Sequence, residues 1–322
     1  MKINQIAVLF TLCMTAFLLS GCATGTDRQA QNTYKQTGIE AMESGNYEEA
    51  IAQFQSALDE SLAVVGENEV DICYYKAMSY YLNGDTEEAT NLYTALIEYD
   101  DKNATAYYLR GNLYLDLGEE EKAVADYDKS LEIDAQNLEC YINIYDNLSA
   151  AGYADRAKDY LERAVEINGS SAEDYAQRGR AYTLLGEYLQ AEEELQKAVD
   201  AGSTEALLYK GQLLEEEGKP EEAQTMYENY ISLHQDDANA LNTLGCMEIK
   251  NQNYENALSY FTSALAAAEE SGVSKKEILK NQILAYEYNG QFEEAKTAMA
   301  TYSQLYTLDD ELSREAIFLE TR

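Results

Sequence analysis

The stretch ATAYYLRGNLYLDLGEEEKAVADYDKSLEIDAQN, residues 104–137, determines how the rest of the chain must fold. Its pattern predicts two helices. The first runs over about 104–117 and ends at Gly118, because glycine readily adopts the left-handed conformation that often ends a helix. The second follows three glutamates, which favour the positive end of a helix, and carries apolar residues at four-residue spacing. Gly111 and Ala123 lack bulk, so the two helices can approach closely, and one apolar face must be covered by neighbouring units.

Alanines that match Ala123 recur along the whole chain. By subtraction of their numbers, the steps between them are 32 to 39 residues, and 34 is the commonest step. The matching alanines are Ala50, Ala89, Ala157, Ala191, Ala223, Ala257 and Ala295. A fixed period of this length predicts a solenoid of stacked helical hairpins, since each hairpin can bury its apolar face only against the next one.

The period and its residues resemble the tetratricopeptide repeat (TPR) pattern, W-x2-L-G-x2-Y, then A-x3-F, then proline. The third unit matches through Tyr107, Leu109, Gly111, Tyr114, Ala123 and Tyr127, and the fifth through Tyr175, Gly179, Tyr182, Ala191 and Leu195. Tyr, Leu or Cys replaces the usual Trp and the closing proline is absent, but a large side chain still fills the gap. The resemblance implies an all-α fold, a right-handed superhelical solenoid of about eight TPR helical hairpins plus a C-terminal capping helix.

The N-terminus reads as a targeting segment. An apolar run from Ile6 to Leu19 has the length of a signal peptide core. Directly after it, Leu19-Ser20-Gly21-Cys22 resembles the lipobox of bacterial lipoproteins. The resemblance implies a palmitate-type lipid on Cys22, cleavage before it, and a cell membrane location with a lipid anchor on the extracytoplasmic face. A plain secretory signal and an uncleaved anchor remain alternatives.

Four parts are predicted. They are a lipoprotein signal peptide over 1–21, the lipidated cysteine and a short tether over 22–30, the TPR solenoid over 31–308, and the capping helix over 309–322. In the capping helix, the side chains expected to cover the last repeat are Leu312, Ala316, Ile317 and Leu319. Two stretches around 61–69 and 269–274 exceed the period, which predicts longer helices or added loops.

Charge restricts the class of partner. The chain has 59 acidic and 23 basic side chains, for a formal net charge of −36. Nucleic acid is therefore excluded as a partner, because its binding proteins are usually basic, and so is polybasic adhesion to anionic lipid. The acidity indicates either a well-solvated surface or a preference for basic partners or divalent cations.

The sequence contains no recognisable catalytic or zinc-binding arrangement. The single histidine, His234, has no histidine or cysteine close in sequence, whereas a zinc site needs three or four ligands. The common nucleotide-binding, hydrolase, metalloprotease and EF-hand motifs are absent. Cys73, Cys140 and Cys246 fall in three separate repeats, which predicts free thiols. We therefore expect a protein that is not an enzyme and that uses no metal or cofactor.

In TPR proteins the first helix of each repeat lines a concave groove, and this resemblance selects candidate partner contacts. The candidates are Tyr74, Met78, Tyr81, Tyr108, Asn112, Leu115, Ile142 and Asn242, with Leu208, Gln212 and Ile249 at matching places. Acidic residues stand among them, at Asp71, Asp116, Glu139, Asp146, Glu173, Glu205 and Glu215. Tyrosine and methionine suit adaptable contacts, and packing between repeats is the alternative role. The Lys, Asn and Arg set with which one TPR subfamily grips chaperone C-termini is absent.

These features predict a non-catalytic, membrane-anchored TPR scaffold that mediates protein–protein interactions in the bacterial cell envelope. Its partner is expected to be a basic or amphipathic protein segment in the acidic, tyrosine-lined groove. The alternative is a surface binder of cell-wall glycan or divalent cations, because tyrosine can stack on sugars and carboxylates can hold calcium.

Overall fold

A computed structural model describes residues 25–61, 65–271, 274–308 and 310–321 of the chain. Within these residues the regular structure is helical throughout, with seventeen helices and no strand. The predicted signal peptide over 1–21, the proposed lipobox with Cys22, and tether residues 23–24 all lie outside the described residues.

The chain divides into two compact units, Met1–Tyr160 and Leu161–Arg322. The helices of the first unit are α1 (Gly25–Glu43), α2 (Tyr47–Asp59), α3 (Glu67–Leu82), α4 (Thr86–Tyr99), α5 (Ala104–Asp116), α6 (Glu120–Ile133) and α7 (Leu138–Ala150). Helix α8 (Ala154–Val165) contains the boundary. The second unit continues with α9 (Ala172–Leu185), α10 (Tyr188–Asp200), α11 (Glu205–Glu216), α12 (Pro220–Leu233), α13 (Ala238–Lys250), α14 (Tyr254–Ser271), α15 (Lys276–Tyr288), α16 (Phe292–Leu305) and α17 (Asp310–Glu320).

Consecutive helices pair into hairpins, from α1 with α2 to α5 with α6 in the first unit and from α9 with α10 to α15 with α16 in the second, and α17 follows as the cap. The predicted close approach in the third hairpin is confirmed. A Cβ atom added to Gly111 would lie 2.8 Å from the ring of Tyr127, a separation that real Cβ atoms do not adopt. Ala123 and Tyr127 are both fully buried. The missing side chain at position 111 thus makes room for the aromatic ring four residues after the alanine.

Each hairpin turn ends its first helix with a left-handed residue. Gly118 has φ = +72° and hydrogen-bonds back to Leu115, as the sequence predicted. The seventh hairpin is the exception, because Gln252 takes this conformation with φ = +62°. Pro220 occupies the first turn of α12, where its missing N–H leaves no bond unmade.

The core lies between hairpins as well as within them. In the first unit, Ala89 and Tyr93 of α4 pack with Ala77 of α3 and with Ala106 and Leu113 of α5. A second helix is therefore enclosed by the first helices of its own repeat and of the next one. This explains why one repeat alone has no complete core.

Charged pairs also join neighbouring helices inside the first unit. The Arg110 guanidinium donates to both carboxylate oxygens of Asp126 at 2.7 Å, which links α5 to α6. It also donates to Thr94 Oγ1 of α4 at 3.0 Å. Such a bidentate pair with an extra acceptor satisfies the partly buried guanidinium and ties α5 to both neighbouring helices. Tyr108 and Asn112, two of the predicted contact residues, lie on the opposite face of α5.

Three expectations about the chain ends and insertions need correction or refinement. The predicted tether is helical from Gly25, because α1 begins there. In the cap, Leu312 and Leu319 are buried as predicted, but Ile317 is 64% exposed, so its predicted covering role is wrong. The insertion near 269–274 extends α14 to Ser271. Residues 62–64 of the other insertion lie outside the described residues.

Candidate partner-binding groove

The first helices of the second and third repeats present the predicted contact residues. Tyr74, Met78 and Tyr81 follow one another at spacings of four and three residues on α3, which places them on one helix face. Tyr108 and Asn112 are spaced in the same way on α5. Tyr81 is 36% exposed and the other four are half-buried, so this face is accessible in part. We call these five residues the groove face.

The hydroxyl of Tyr74 connects two repeats. It donates to Asn103 Oδ1 at 2.7 Å, and the same oxygen accepts from the backbone N–H of Ala106 at 3.0 Å. Asn103 is thereby the cap of α5 and the anchor of a tyrosine on α3. Burial raises the pKa of Tyr74, so the phenol stays protonated as a donor. Its ring is held in place at the border between the repeats.

A network of amides and phenols fixes the centre of the groove face. The Asn147 side chain on α7 donates to Asn112 Oδ1 at 3.0 Å and to Tyr108 Oη at 3.2 Å. Tyr127 Oη donates to the same Asn112 oxygen at 2.8 Å. Asn112 therefore receives two hydrogen bonds from two different repeats. Shared acceptors of this kind rigidify a polar surface and determine which ring faces remain available to a partner.

Tyr81 lies at the exposed end of the same face. Its hydroxyl donates to Asp116 Oδ2 at 2.6 Å, across the border between α3 and α5. This hydrogen bond to the carboxylate raises the pKa of Tyr81. Asp116 was predicted as one of the acidic residues of the groove, and the structure places it beside Tyr81.

Two predicted contacts are wrong. Ile142 is fully buried and Leu115 is only 8% exposed, so both serve packing and neither can reach a partner. Conversely, the structure adds Asn103 and Asn147, which the sequence analysis missed. The available signal for Asn147 was its position 35 residues after Asn112, close to one repeat, on a helix with few other amides. Its role depends on whether the Asn147 side chain extends far enough to contact the preceding repeat, and the repeat period alone does not predict this.

Asn242 belongs to the second unit, so the predicted set is split between units. It is half-buried, and its Oδ1 accepts from Asn281 Nδ2 at 3.1 Å, again between first helices of adjacent repeats. A cavity of about 290 Å³ opens nearby between α9, α11 and α13. Its lining includes Arg180, Leu208, Tyr209, Gln212, Asn239 and Thr243. Among these, Gln212 is exposed and Leu208 half-buried.

Several of the predicted acidic residues already have partners. Asp71 pairs with Lys35, and Glu173 accepts from Gln177. Glu205 accepts from the hydroxyls of Ser203 and Thr204, which contributes to a lowered pKa of that carboxyl after the larger effect of its own backbone N–H. Hydrogen bonds thus favour the charged form of the Glu205 carboxyl, which stays acidic.

The remaining reactive residues have structural partners. His234 ends α12, stacks on Tyr230 at 4.5 Å and places Nε2 2.8 Å from Thr204 Oγ1. Among the described residues, Cys73, Cys140 and Cys246 carry reduced thiols that form no disulfide, and burial raises the pKa of Cys140 to about 11. In the part of the chain that the structure describes, no three His, Cys, Asp or Glu side chains are grouped to hold a metal. Every helix in that part is too short or too polar to span a bilayer.

Comparison with known proteins identifies the repeats. A family profile described as tetratricopeptide repeat matches residues 36–90, 74–137 and 208–271, together more than half of the chain. A second profile with the same description matches residues 173–201. No curated protein sequence matches the chain.

Solved structures show the same architecture. A tetratricopeptide repeat protein from Parabacteroides merdae is similar with a TM-score of 0.52 and 19% identity, over 80% of this chain and 99% of that chain. The APC/C hetero-tetramer Cut9–Hcn1 is similar with a TM-score of 0.51 and 16% identity, over 88% of this chain and 54% of that chain. At these identities the likeness concerns the fold. It confirms the prediction of an all-α solenoid of helical hairpins.

Proposed function

Because the chain belongs to the tetratricopeptide repeat family, whose members typically bind protein partners, we propose that it is a non-catalytic scaffold for proteins of the bacterial cell envelope. The observation that carries this proposal is the groove face. Its tyrosines are partly exposed, yet hydrogen bonds between repeats hold their hydroxyls in place. A pre-organised surface of this kind loses little side-chain entropy when a partner binds.

The partner is a basic or amphipathic protein segment. Tyr81 and Tyr108 offer ring faces, and Met78 adds a side chain that adapts to irregular apolar contacts. The net charge of −36 favours a partner of opposite charge and speeds its approach. The tyrosine rings therefore provide binding affinity for a partner, and the surrounding acidic groups select a positively charged one.

Membrane anchoring is part of the same proposal. It is supported by the resemblance of Leu19-Ser20-Gly21-Cys22 to a lipobox directly after an apolar run. A lipid on Cys22 fixes the repeats to the extracytoplasmic face of the cell membrane, so that partners gather there. The test is metabolic labelling with an alkyne-tagged palmitate. We expect label on the wild type and none on Cys22→Ser, whereas equal labelling of both would exclude lipidation at Cys22. Cys73→Ser serves as the matched control.

The scaffold role is tested by cross-linking in intact cells. A photoreactive residue replaces Tyr108 on the groove face, and the control carries it at Ala125, an exposed position on α6. One dominant protein adduct from position 108, absent from position 125, supports the scaffold and names its partner. Equal or scattered adducts from both positions contradict the groove as the contact surface and favour glycan or cation binding instead.

A further inference from the structure

Asp116 on α5 is bound through one of its two carboxylate oxygens. Oδ2 accepts from the Tyr81 hydroxyl at 2.6 Å. Among the described residues, no lysine or arginine is paired with this carboxylate, and Asp116 is exposed. In the described part of the chain, its second oxygen, Oδ1, makes no hydrogen bond. A carboxylate accepts several hydrogen bonds, so capacity remains at this oxygen.

In the second unit, a carboxylate that accepts from a tyrosine hydroxyl also has a cation beside it. Glu215 Oε2 accepts a hydrogen bond from the Tyr227 hydroxyl at 2.8 Å. The other oxygen, Oε1, lies 3.9 Å from Lys250 Nζ. Glu215 stands three residues before its turn residue, as Tyr81 does, and Lys250 stands two residues before its own, as Asp116 does. By position Lys250 corresponds to Asp116 and Glu215 to Tyr81, so the parallel between the two carboxylates lies in their chemistry: one oxygen binds a phenol, and the other can receive an ammonium group.

The surroundings of Asp116 suit a basic side chain next to apolar ones. The sequence neighbours of the pair are Leu82, which is 43% exposed, and Leu117, which is 52% exposed. The Tyr81 ring is accessible, and its hydroxyl is already committed to Asp116, so the ring offers its face rather than its polar tip. Carboxylate, aromatic face and exposed leucines are the contacts that a lysine or arginine flanked by apolar residues makes.

We propose that Tyr81 and Asp116 form a recognition site for a lysine or arginine side chain of the partner, with Leu82 and Leu117 receiving the apolar residues beside it. This inference rests on the proposed scaffold function and specifies the chemistry of its partner. The cation binds Asp116 Oδ1, as Lys250 approaches Oε1 of Glu215, and contacts the Tyr81 ring. The hydrogen bond from Tyr81 orients the carboxylate before the partner arrives, which reduces the cost of binding.

The ion pair with Asp116 and the contact with the Tyr81 ring are each weak, but both act on the same cationic group. A cation on an aromatic face at an exposed site contributes little alone, and so does an exposed ion pair. Together they lead us to expect about fivefold tighter binding of a charged side chain than of a neutral one of the same shape. Added salt weakens this preference, because exposed charges are screened.

The test uses two matched peptides and the purified full-length protein. The probe is acetyl-Leu-Arg-Leu-amide, and the neutral control replaces arginine by citrulline, which has the same shape without the charge. Binding is followed by NMR of the tyrosine rings, with the Tyr81 signal assigned from its loss in Tyr81→Phe. We expect a saturable shift of this signal with the arginine peptide and about fivefold weaker binding of the citrulline peptide.

Variants separate the site from the overall negative field. Asp116→Asn is expected to weaken binding of the arginine peptide about fivefold, whereas Asp159→Asn, an exposed change of equal charge on α8, leaves it unchanged. Both residues are exposed, so neither change disturbs the core. Absence of binding, equal affinity for the two peptides, or equal losses in the two variants would overturn the proposal.

The outcome is distinguishable from failure of the scaffold itself. A dominant cross-link from position 108 together with no selective arginine binding leaves the scaffold in place and removes this site. Selective arginine binding with no specific cross-link in cells leaves the cation site in place and removes the proposed envelope partner.

Discussion

Gln252 shows how one residue departs from the pattern of its repeat. The other seven hairpin turns use glycine in the left-handed conformation, for example Gly118 at φ = +72° and Gly218 at φ = +73°, whereas Gln252 adopts φ = +62° with a side chain. That conformation costs an L-residue about 1 kcal/mol or more because its Cβ crowds the following carbonyl oxygen. Local strain of this size is stored in the turn of the seventh hairpin.

We predict that Gln252→Gly stabilises the protein by about 0.5 kcal/mol. Relief of the strain exceeds the extra conformational entropy that glycine gives the unfolded chain. The measurement is the free energy of unfolding in urea. Asn251→Gly is the control, because Asn251 has φ = −80° and donates to Gln224, so its change should lower stability. Two variants that change in the same direction would contradict this account.

The roles of some single residues could be predicted from the sequence, and those of others could not. Gly111, Gly118 and Ala123 were correctly predicted because their roles depend on local backbone geometry, which a period of 34 residues repeats faithfully. Ile142 was wrong because its place in the repeat predicts which face it occupies but not how deeply neighbouring helices cover it. The link from Asn147 to Asn112 was missed because it depends on two rotamers in different repeats.

At the scale of an element, the capping helix α17 joins the last repeat through both apolar and acidic side chains. Leu312 and Leu319 pack against Leu279 and Met299. Beside them, burial, a hydrogen bond to Glu315 and the charge of Glu315 raise the pKa of Glu287 to about 7. Two carboxyl groups in contact cannot both ionise without cost, so the pair retains a proton in the folded protein.

We predict that this contact makes stability depend on pH. The folded-state pKa of Glu287 exceeds its ordinary value of 4.5, so between these pH values the folded protein holds a proton that the unfolded chain has released. Stability therefore falls as pH rises through this window, and the loss is complete above it. Glu287→Gln mimics the protonated state and should remove this decline.

The measurement is the thermal midpoint of wild type and Glu287→Gln at about pH 4.5 and about pH 8. We expect equal midpoints at the lower pH and a higher midpoint for the variant at the upper pH. Glu294→Gln is the control, because Glu294 is exposed on α16. Parallel pH profiles for the wild type and Glu287→Gln would show that the acidic contact has no energetic effect.

At the scale of the whole molecule, the excess of 59 acidic over 23 basic side chains dominates the electrostatics. Internal pairs such as Arg110 with Asp126 are short and partly shielded from solvent, so salt affects them little. Most other carboxylates repel one another across the surface, and this self-repulsion destabilises the compact state. Stability should therefore rise when the solution screens charge.

We predict that the thermal midpoint rises steadily as sodium chloride increases from about 10 mM to about 500 mM, because the screening length falls from about 30 Å to below 8 Å. A flat or falling curve would contradict self-repulsion.

Calcium chloride at matched ionic strength distinguishes the two candidate functions, which are binding of a protein segment and binding of divalent cations. General screening gives the same midpoint for both salts, whereas specific cation binding adds stability that saturates with calcium concentration. Equal midpoints in the two salts would favour a basic protein segment over calcium as the partner of the acidic surface. The pair of Glu215 with Lys250 is an example of such a carboxylate–ammonium contact within the chain itself.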